Sequence, residues 1–319
     1  MTKAITLPFI FFCQLVGSSY GWTLHMSSTA DTQPVNRVLV TGAAGRTGRL
    51  VYEKLNEVNH FVPIALVRSE KSARSLIRNC ENCGLEDVFV CDIVDGLDLE
   101  NPPQGMEGID SMIICTSAVP IISKRSLIPA LLKIPINLAR GRKPIDFRLL
   151  QFKFKNNQYP EKVDFIGQKA QIDLAKKLGA KKVVIVSSMG STDPEHFLNK
   201  VGKKHDGSGN GDILLWKRKA EEYLINSGLS YTIIHPGILT DGQPEIEEIV
   251  LDVDDKLMKS EKRSIARADV ANLCAAALTV GSDKNISVDC ISRVSDGSSL
   301  PKSAEEVLKE FIAEEETAN

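Results

Sequence analysis

The chain lacks an excess of either charge. Its 319 residues carry 39 Lys and Arg against 41 Asp and Glu, a formal net charge of −2. No Lys/Arg-rich arm is interleaved with aromatics, so an electrostatic grip on nucleic acid is not expected. No apolar run is long enough to cross a bilayer as a helix in the mature chain. Metal ligands are also short. Cys80 and Cys83 form one CxxC, but there is no second pair and no paired histidines, and tetrahedral zinc needs four ligands. No metal site is expected. The pair reads as two incidental thiols near a helix end, with a redox pair as the alternative, since a thioredoxin-like context is lacking. Cys91, Cys115, Cys274 and Cys290 fall in apolar patterns and read as small buried residues. Without a disulfide framework the chain does not resemble a small extracellular scaffold. No internal repeat is visible. What remains is 43% apolar and 25% charged, the make-up of an ordinary globular domain.

The first 35 residues stand apart. Lys3 precedes an apolar run from Ala4 to Val16, and Ser19-Tyr20-Gly21 supplies small residues where a signal peptide would be cleaved. Trp22 follows, then a hydroxyl-rich stretch with Asp31 as its one acid. The pattern resembles the bipartite plastid presequence of algae with secondary plastids. Secretion or a cytoplasmic location are the alternatives. Residues 1–35 are therefore expected to be a targeting presequence, and 36–319 a single folded domain.

Arg37-Val38-Leu39-Val40-Thr41-Gly42-Ala43-Ala44-Gly45-Arg46-Thr47-Gly48 is the most informative stretch. A short apolar run feeds a GxxGxxG turn, and an amphipathic segment follows. Gly42 permits the turn, Gly45 lets a pyrophosphate approach the backbone, and Gly48 lets the helix pack closely. The free amides at the helix start, with Thr47, face the phosphates, and the Arg46 side chain is a second candidate phosphate partner, otherwise a solvent-facing residue of the first turn. About 20 residues on, where an acidic residue would bind the ribose of NAD, stands Arg68. A cation there favours a 2′-phosphate, so the expected cofactor is NADP.

Strand-like and helix-like segments alternate along the chain. Strands are expected at Val38–Thr41, Val62–Val67, Val88–Cys91, Ser111–Cys115, Lys182–Ser187, Tyr231–Ile234 and Ile286–Ile291. Helices are expected at Thr47–Val58, Lys71–Asn79, Phe165–Leu178, Ile213–Asn226 and Ala268–Thr279, with another in the tail after Pro301. This alternation predicts an α/β fold with a doubly wound parallel sheet. Three stretches interrupt it and read as lid-like insertions. Ile121–Tyr159 is basic and weakly patterned. Met189–Asp212 holds His196, His205 and a glycine-rich hinge at 207–211. Gly237–Arg263 is acidic. All three leave strand carboxyl ends, where ligands bind in such sheets.

The order and spacing of these motifs resemble an atypical short-chain dehydrogenase/reductase, near the extended and NmrA-like members. The likeness is greatest to plant and algal NADP-binding proteins of unassigned reaction. It rests on the glycine loop, Leu66-Val67-Arg68-Ser69, Cys91-Asp92-Ile93, Thr116–Pro120, Gln158–Asp173, Ser187–Gly190, Trp216–Glu221, Tyr231–Gly237 and Arg267–Ala271. The resemblance implies that Asp92 and Ile93 hold the adenine. It implies that Thr116, Ser117 and Ala118 line the cofactor, and that Pro236 and Gly237 face the nicotinamide. Ser188 falls at the superfamily's active-site serine. Lys217 falls at its active-site lysine, with both a catalytic and a cofactor-binding role.

One departure matters. The position four before Lys217, where the family keeps a proton-transferring tyrosine, is Ile213, which has no proton to give. Tyr159 is a candidate substitute, otherwise a surface tyrosine. His235 titrates near neutrality but reads as a hydrogen-bonded core residue. Gln168 and Gln171 lie where a polar helix residue often approaches the active site. His196 and His205 read as exposed, and Asp193 and Asp212 as loop and cap residues. Two functions are open: an NADPH-dependent oxidoreductase or epimerase on a small carbonyl compound, or an NADP-binding sensor or assembly protein without turnover. The expected state is a monomer or homodimer.

Overall fold

The computed structural model describes residues 36–318, apart from 81, 82, 85, 142, 143, 145–149, 204, 205, 207, 296, 298 and 299. The presequence expectation, His205 and Gly207 lie outside the described residues.

The chain opens with β1 (Asn36–Thr41), α1 (Arg46–Asn56), β2 (Phe61–Val67), α2 (Glu70–Asn79) and β3 (Val88–Val90). Next come β4 (Ser111–Ile114), β5 (Pro120–Ile122), α3 (Lys124–Leu132), α4 (Ile134–Ala139) and β6 (Phe152–Phe154). A π-helical turn, Glu161–Gly167, leads into α5 (Gln168–Leu178) and then β7 (Lys182–Val186). α6 (Phe197–Lys200), α7 (Ile213–Ile225), β8 (Ser230–Pro236), β9 (Ile238–Thr240) and β10 (Glu248–Asp252) follow. The chain closes with β11 (Ser264–Ala266), α8 (Arg267–Thr279), β12 (Ile286–Arg293) and α9 (Ala304–Ala318).

Eight strands form one sheet in the order β10-β12-β8-β7-β4-β1-β2-β3. All its pairs are parallel except β10 with β12. This is the doubly wound α/β architecture. Period-two alternation in the strands produces two cores. Val38, Val40, Ile113 and Val184 face one side, packed with α1 residues such as Val51 and Leu55 and with much of α8. Leu39, Met112, Ile114, Val183 and Ile185 face the other, with Ile172, Leu174 and Ala175 of α5. The winding reverses between β1 and β4, which pair in register from Val38↔Ser111 to Thr41↔Ile114. Crevices outside such a reversal are where ligands bind in open α/β sheets.

Several expectations need correction. The acidic stretch after β8 is not loop throughout. It supplies β10, which adds an antiparallel edge strand. Its alternation was hidden because only Ile249 of that strand is fully buried. The Ile121–Tyr159 stretch also carries secondary structure among its described residues. β5 pairs antiparallel with β6, and α3 and α4 lie between them. Their pattern is weak because these helices bury almost nothing. Cys80 and Cys83 are not incidental thiols. They form a disulfide with Cα atoms 5.6 Å apart. The short CxxC loop brings the two sulfurs together without any wider framework. Cys91 and Cys115 are only partly buried, unlike Cys274 and Cys290.

Candidate functional site

The glycine loop lies at the winding reversal. Gly42 takes φ +66°, in the left-handed region that glycine reaches without strain. A Cβ there would stand 3.0 Å from the Cys115 carbonyl carbon, so the loop after β1 presses on the chain leaving β4. Gly45 N donates to Gly42 O at 2.8 Å and closes the turn. Gly48 is forced by space as well. A Cβ on it would lie 2.3 Å from Gly42 O. The contact is with the loop itself rather than with the sheet.

α1 begins at Arg46 with no side chain capping its first turn. The start of a helix leaves backbone donors without intrahelical partners, and its dipole favours an anion there. Arg46 is exposed and sits 3.8 Å from exposed Asp241, a contact of little energetic weight. Asp241 is held instead by nearly buried Arg267 at 2.6 Å. A cleft of about 480 Å³ opens beside Gly45 and Arg46, between α1, α2, the 241–244 loop and the start of α8. It borders the loop end of the site and does not reach Ser188.

Arg68 is exposed immediately after β2. The next residue, Ser69, caps α2 by accepting from Ser72 N at 3.3 Å. Asp92, just past β3, is already engaged. Its carboxylate accepts from Val94 N at 3.0 Å and from Gln158 Nε2 at 3.2 Å. Ile93 is buried against the π-helical turn, where a Cβ on Gly167 would meet its Cδ1 at 3.0 Å.

The segment after β4 is fastened from below. Gln168 donates to Thr116 O at 2.9 Å, and Gln171 bonds the Thr116 hydroxyl at 3.1 Å. Both glutamines are buried, so they hold the segment rather than line an opening. Ala118 N donates to Asp164 at 3.1 Å, and Ser117 between these anchors is exposed. Asp164 also takes the ammonium of Lys217 at 2.8 Å, with both side chains buried. Lys217 is thus tied, through Asp164, to the backbone after β4. Ile213, one helical turn before it, is buried and apolar.

Around β7 the polar groups form a closed row. Ser187 donates its hydroxyl to Glu221 of α7. Glu221 lies 3.3 Å from Nε2 of His235, whose Nδ1 lies 3.4 Å from Asp289 of β12. Burial alone would lower the His235 pKa. Asp289 and Glu221 outweigh it and push the imidazole up to about 9. Burial raises the Glu221 carboxyl, but His235, Ser187 and Arg218 together hold it below its usual value. His235 is therefore a charged core residue at neutral pH. Ser188 is half-buried, and its hydroxyl donates to Met189 O at 3.2 Å. Pro236 accepts from Met189 N at 3.2 Å, while Gly237 is pinned by its amide to Cys290 O at 3.0 Å.

The turn beyond Ser188 has its own clamp. Asp255 accepts from Gly190 N at 2.6 Å and from the Thr192 hydroxyl at 2.6 Å. His196, expected to be exposed, is half-buried. It caps α6 at 3.3 Å and lies against Gly190. Tyr159 is half-buried before the π-helical turn, with Lys162 Nζ 5.5 Å from its ring centre. Glu221, Asp164, Asp289 and Asp255 were not singled out from sequence as site residues. The available signal was acids at spacings that place them beside known positions, such as Glu221 one turn after Lys217.

Comparison with known proteins places the chain in a family. The NAD(P)H-binding family matches residues 42–280. A sanguinarine reductase of Eschscholzia californica is 41% identical over 289 residues, covering 89% of this chain and 96% of that protein. An uncharacterised chloroplastic protein of Arabidopsis thaliana is 40% identical over 281 residues, covering 88% of this chain and 76% of the relative. Among solved structures, a candidate NAD-dependent epimerase/dehydratase from Bacillus halodurans superposes with a TM-score of 0.58 at 21% identity, covering 86% of this chain and 99% of that one. That last likeness shows the fold. With the family matching most of its length and the chain carrying the doubly wound sheet, the chain belongs to the NAD(P)H-binding family, with a Rossmann fold.

Proposed function

We propose that the protein is an NADPH-dependent oxidoreductase acting on a small carbonyl compound, in a plastid reached through residues 1–35. The single observation that carries the reading is the cradle at the winding reversal. Gly42 and Gly48 have no space for a Cβ, so the loop folds tightly against the chain leaving β4 and against itself, beside an uncapped helix start. Exposed Arg68 stands at the end of the neighbouring strand. In this reading Gly45, Arg46, Thr47 and the α1 amides hold the pyrophosphate, and Arg68 holds the 2′-phosphate. Asp92 and Ile93 border the adenine. Thr116, Ser117, Ala118, Pro236 and Gly237 line the nicotinamide end. The plastid location is supported by the chloroplastic relative, and the reductase reading by the reductase relative.

A bound nicotinamide supplies hydride chemistry. The chain's own part is to position the substrate and provide a proton. Ser188 is the hydroxyl placed to hydrogen-bond a substrate oxygen once it leaves Met189 O. Lys217 does not face a tyrosine. Its charge is neutralised by Asp164, so it steadies the Thr116–Ala118 wall. The proton then comes from Ser188 or from water, because Ile213 supplies none.

The decisive measurement is NADPH oxidation against a panel of small carbonyl compounds, with the Ser188→Ala variant alongside. Turnover that falls at least about tenfold in Ser188→Ala, with NADPH binding unchanged, is the expected result. Tight NADPH binding with no turnover on any substrate would instead favour the second reading, a non-catalytic NADP(H) sensor. That reading is supported by Ile213 and by the closed Lys217–Asp164 pair.

A further inference from the structure

α3 and α4 expose what helices ordinarily hide. α3 buries only Ala130, and α4 buries none of its residues. Yet Leu132 is 72% exposed, Ile128 60%, Leu138 58% and Ile136 51%. A surface helix normally turns such a stripe toward the core. An apolar patch left in water marks an interaction surface. The two ends of the insertion that carries the pair are tied together at its base. Ser123 N donates to Gln151 O at 2.7 Å, and Gln151 N donates to the Ser126 hydroxyl at 2.9 Å.

Cations are interleaved with these apolar side chains. Lys124 and Arg125 open α3, Lys133 joins the two helices, and Arg140 follows α4, all exposed. No Asp or Glu occurs between Asp110 and Asp146. The surface is thus locally positive on a chain whose net charge is −2.

We propose that the α3–α4 pair docks the protein on the anionic face of a lipid bilayer. The lysines and arginines meet headgroup phosphates, and the aliphatic side chains enter the acyl boundary. The composition argues against the other occupants. Protein interfaces draw their strongest contacts from aromatic residues and are poor in lysine. No Phe, Tyr or Trp occurs between Val119 and Ile145. A second copy would set cations against cations across a two-fold axis. This inference stands independently of the reductase reading.

The test is co-sedimentation of the full chain with phosphatidylcholine vesicles made with or without phosphatidylglycerol. Binding should need phosphatidylglycerol and weaken as salt rises. Lys124→Gln/Arg125→Gln/Lys133→Gln/Arg140→Gln should lower partitioning at least about tenfold. Leu132→Ser/Ile136→Ser/Leu138→Ser should do the same through lost apolar burial. Both sets lie on the exposed face, and circular dichroism checks that they fold. Hydrogen exchange gives a readout without substitution. Amides of 124–140 should slow only when anionic vesicles are present. Equal binding to neutral vesicles, or binding unchanged in both variants and therefore carried elsewhere in the chain, overturns the proposal. So does protection of 124–140 that grows with protein concentration alone, which would assign the face to a second copy.

Discussion

Just past β1 and β2, polar groups are left open. The start of α1 has no capping side chain, and Arg68 is exposed. Across the winding reversal, at β7, β8 and β12, the polar groups face each other. Ser187, Glu221, His235 and Asp289 form one buried row, and Lys217 closes on Asp164. In the proposed reading the first arrangement is completed by the cofactor. The second is paired within the chain, beside the backbone around Ser188. Binding and stability should therefore be separable functions of the two ends.

The largest effect is expected at the closed end. Glu221→Gln removes the charge between His235 and Arg218 and leaves His235 dependent on Asp289. Breaking a buried pair in this way costs about 3–5 kcal/mol. Urea denaturation should show that loss, while the nucleotide affinity of the folded fraction stays near that of the parent. A parallel loss of affinity would break the comparison.

Arg68→Ala probes the open end and should invert the result. A charge-assisted hydrogen bond is worth about 1.5–3 kcal/mol, so NADPH affinity should fall about tenfold or more by titration calorimetry. NADH affinity should change little. An exposed substitution should leave the urea midpoint within about 0.5 kcal/mol of the parent. Equal loss for both nucleotides would remove the 2′-phosphate assignment.

A third test lies in the pH dependence. His235 is held at about 9, above the about 6.5 of an unfolded chain. Its contribution to stability is complete below about pH 6.5 and is lost as pH rises through about 9. Glu221 is shifted the other way, so its contribution is lost as pH falls below the usual carboxylate range. Urea midpoints measured across neutral to alkaline pH should decline in the parent and flatten in His235→Gln. An equally steep decline in both would place the alkaline loss elsewhere.

Much of the frame was legible because it rests on local chemistry. Gly42 needs φ > 0, apolar alternation fixes which face of a strand is buried, and Arg68 follows β2 as an exposed cation. β10 was not legible. An edge strand with one fully buried residue carries little alternation. The disulfide was missed because CxxC spacing alone does not distinguish a bonded pair from free thiols. The roles of Gln168 and Gln171 also differ from a reading based on position. Both are polar and near the site, but burial turns them into fasteners for Thr116.

The sequence by itself determined the α/β frame, the glycine turn and the choice of a cation over an acid at Arg68. These follow from backbone conformation, apolar period and side-chain charge, each readable a few residues at a time. The tertiary structure decided the partners. It set Lys217 on Asp164, Ser187 on Glu221 and His235 between two acids, and it left α3 and α4 uncovered. Those outcomes depend on which distant segments share a low-dielectric interior, where an ion without a partner is too costly to keep.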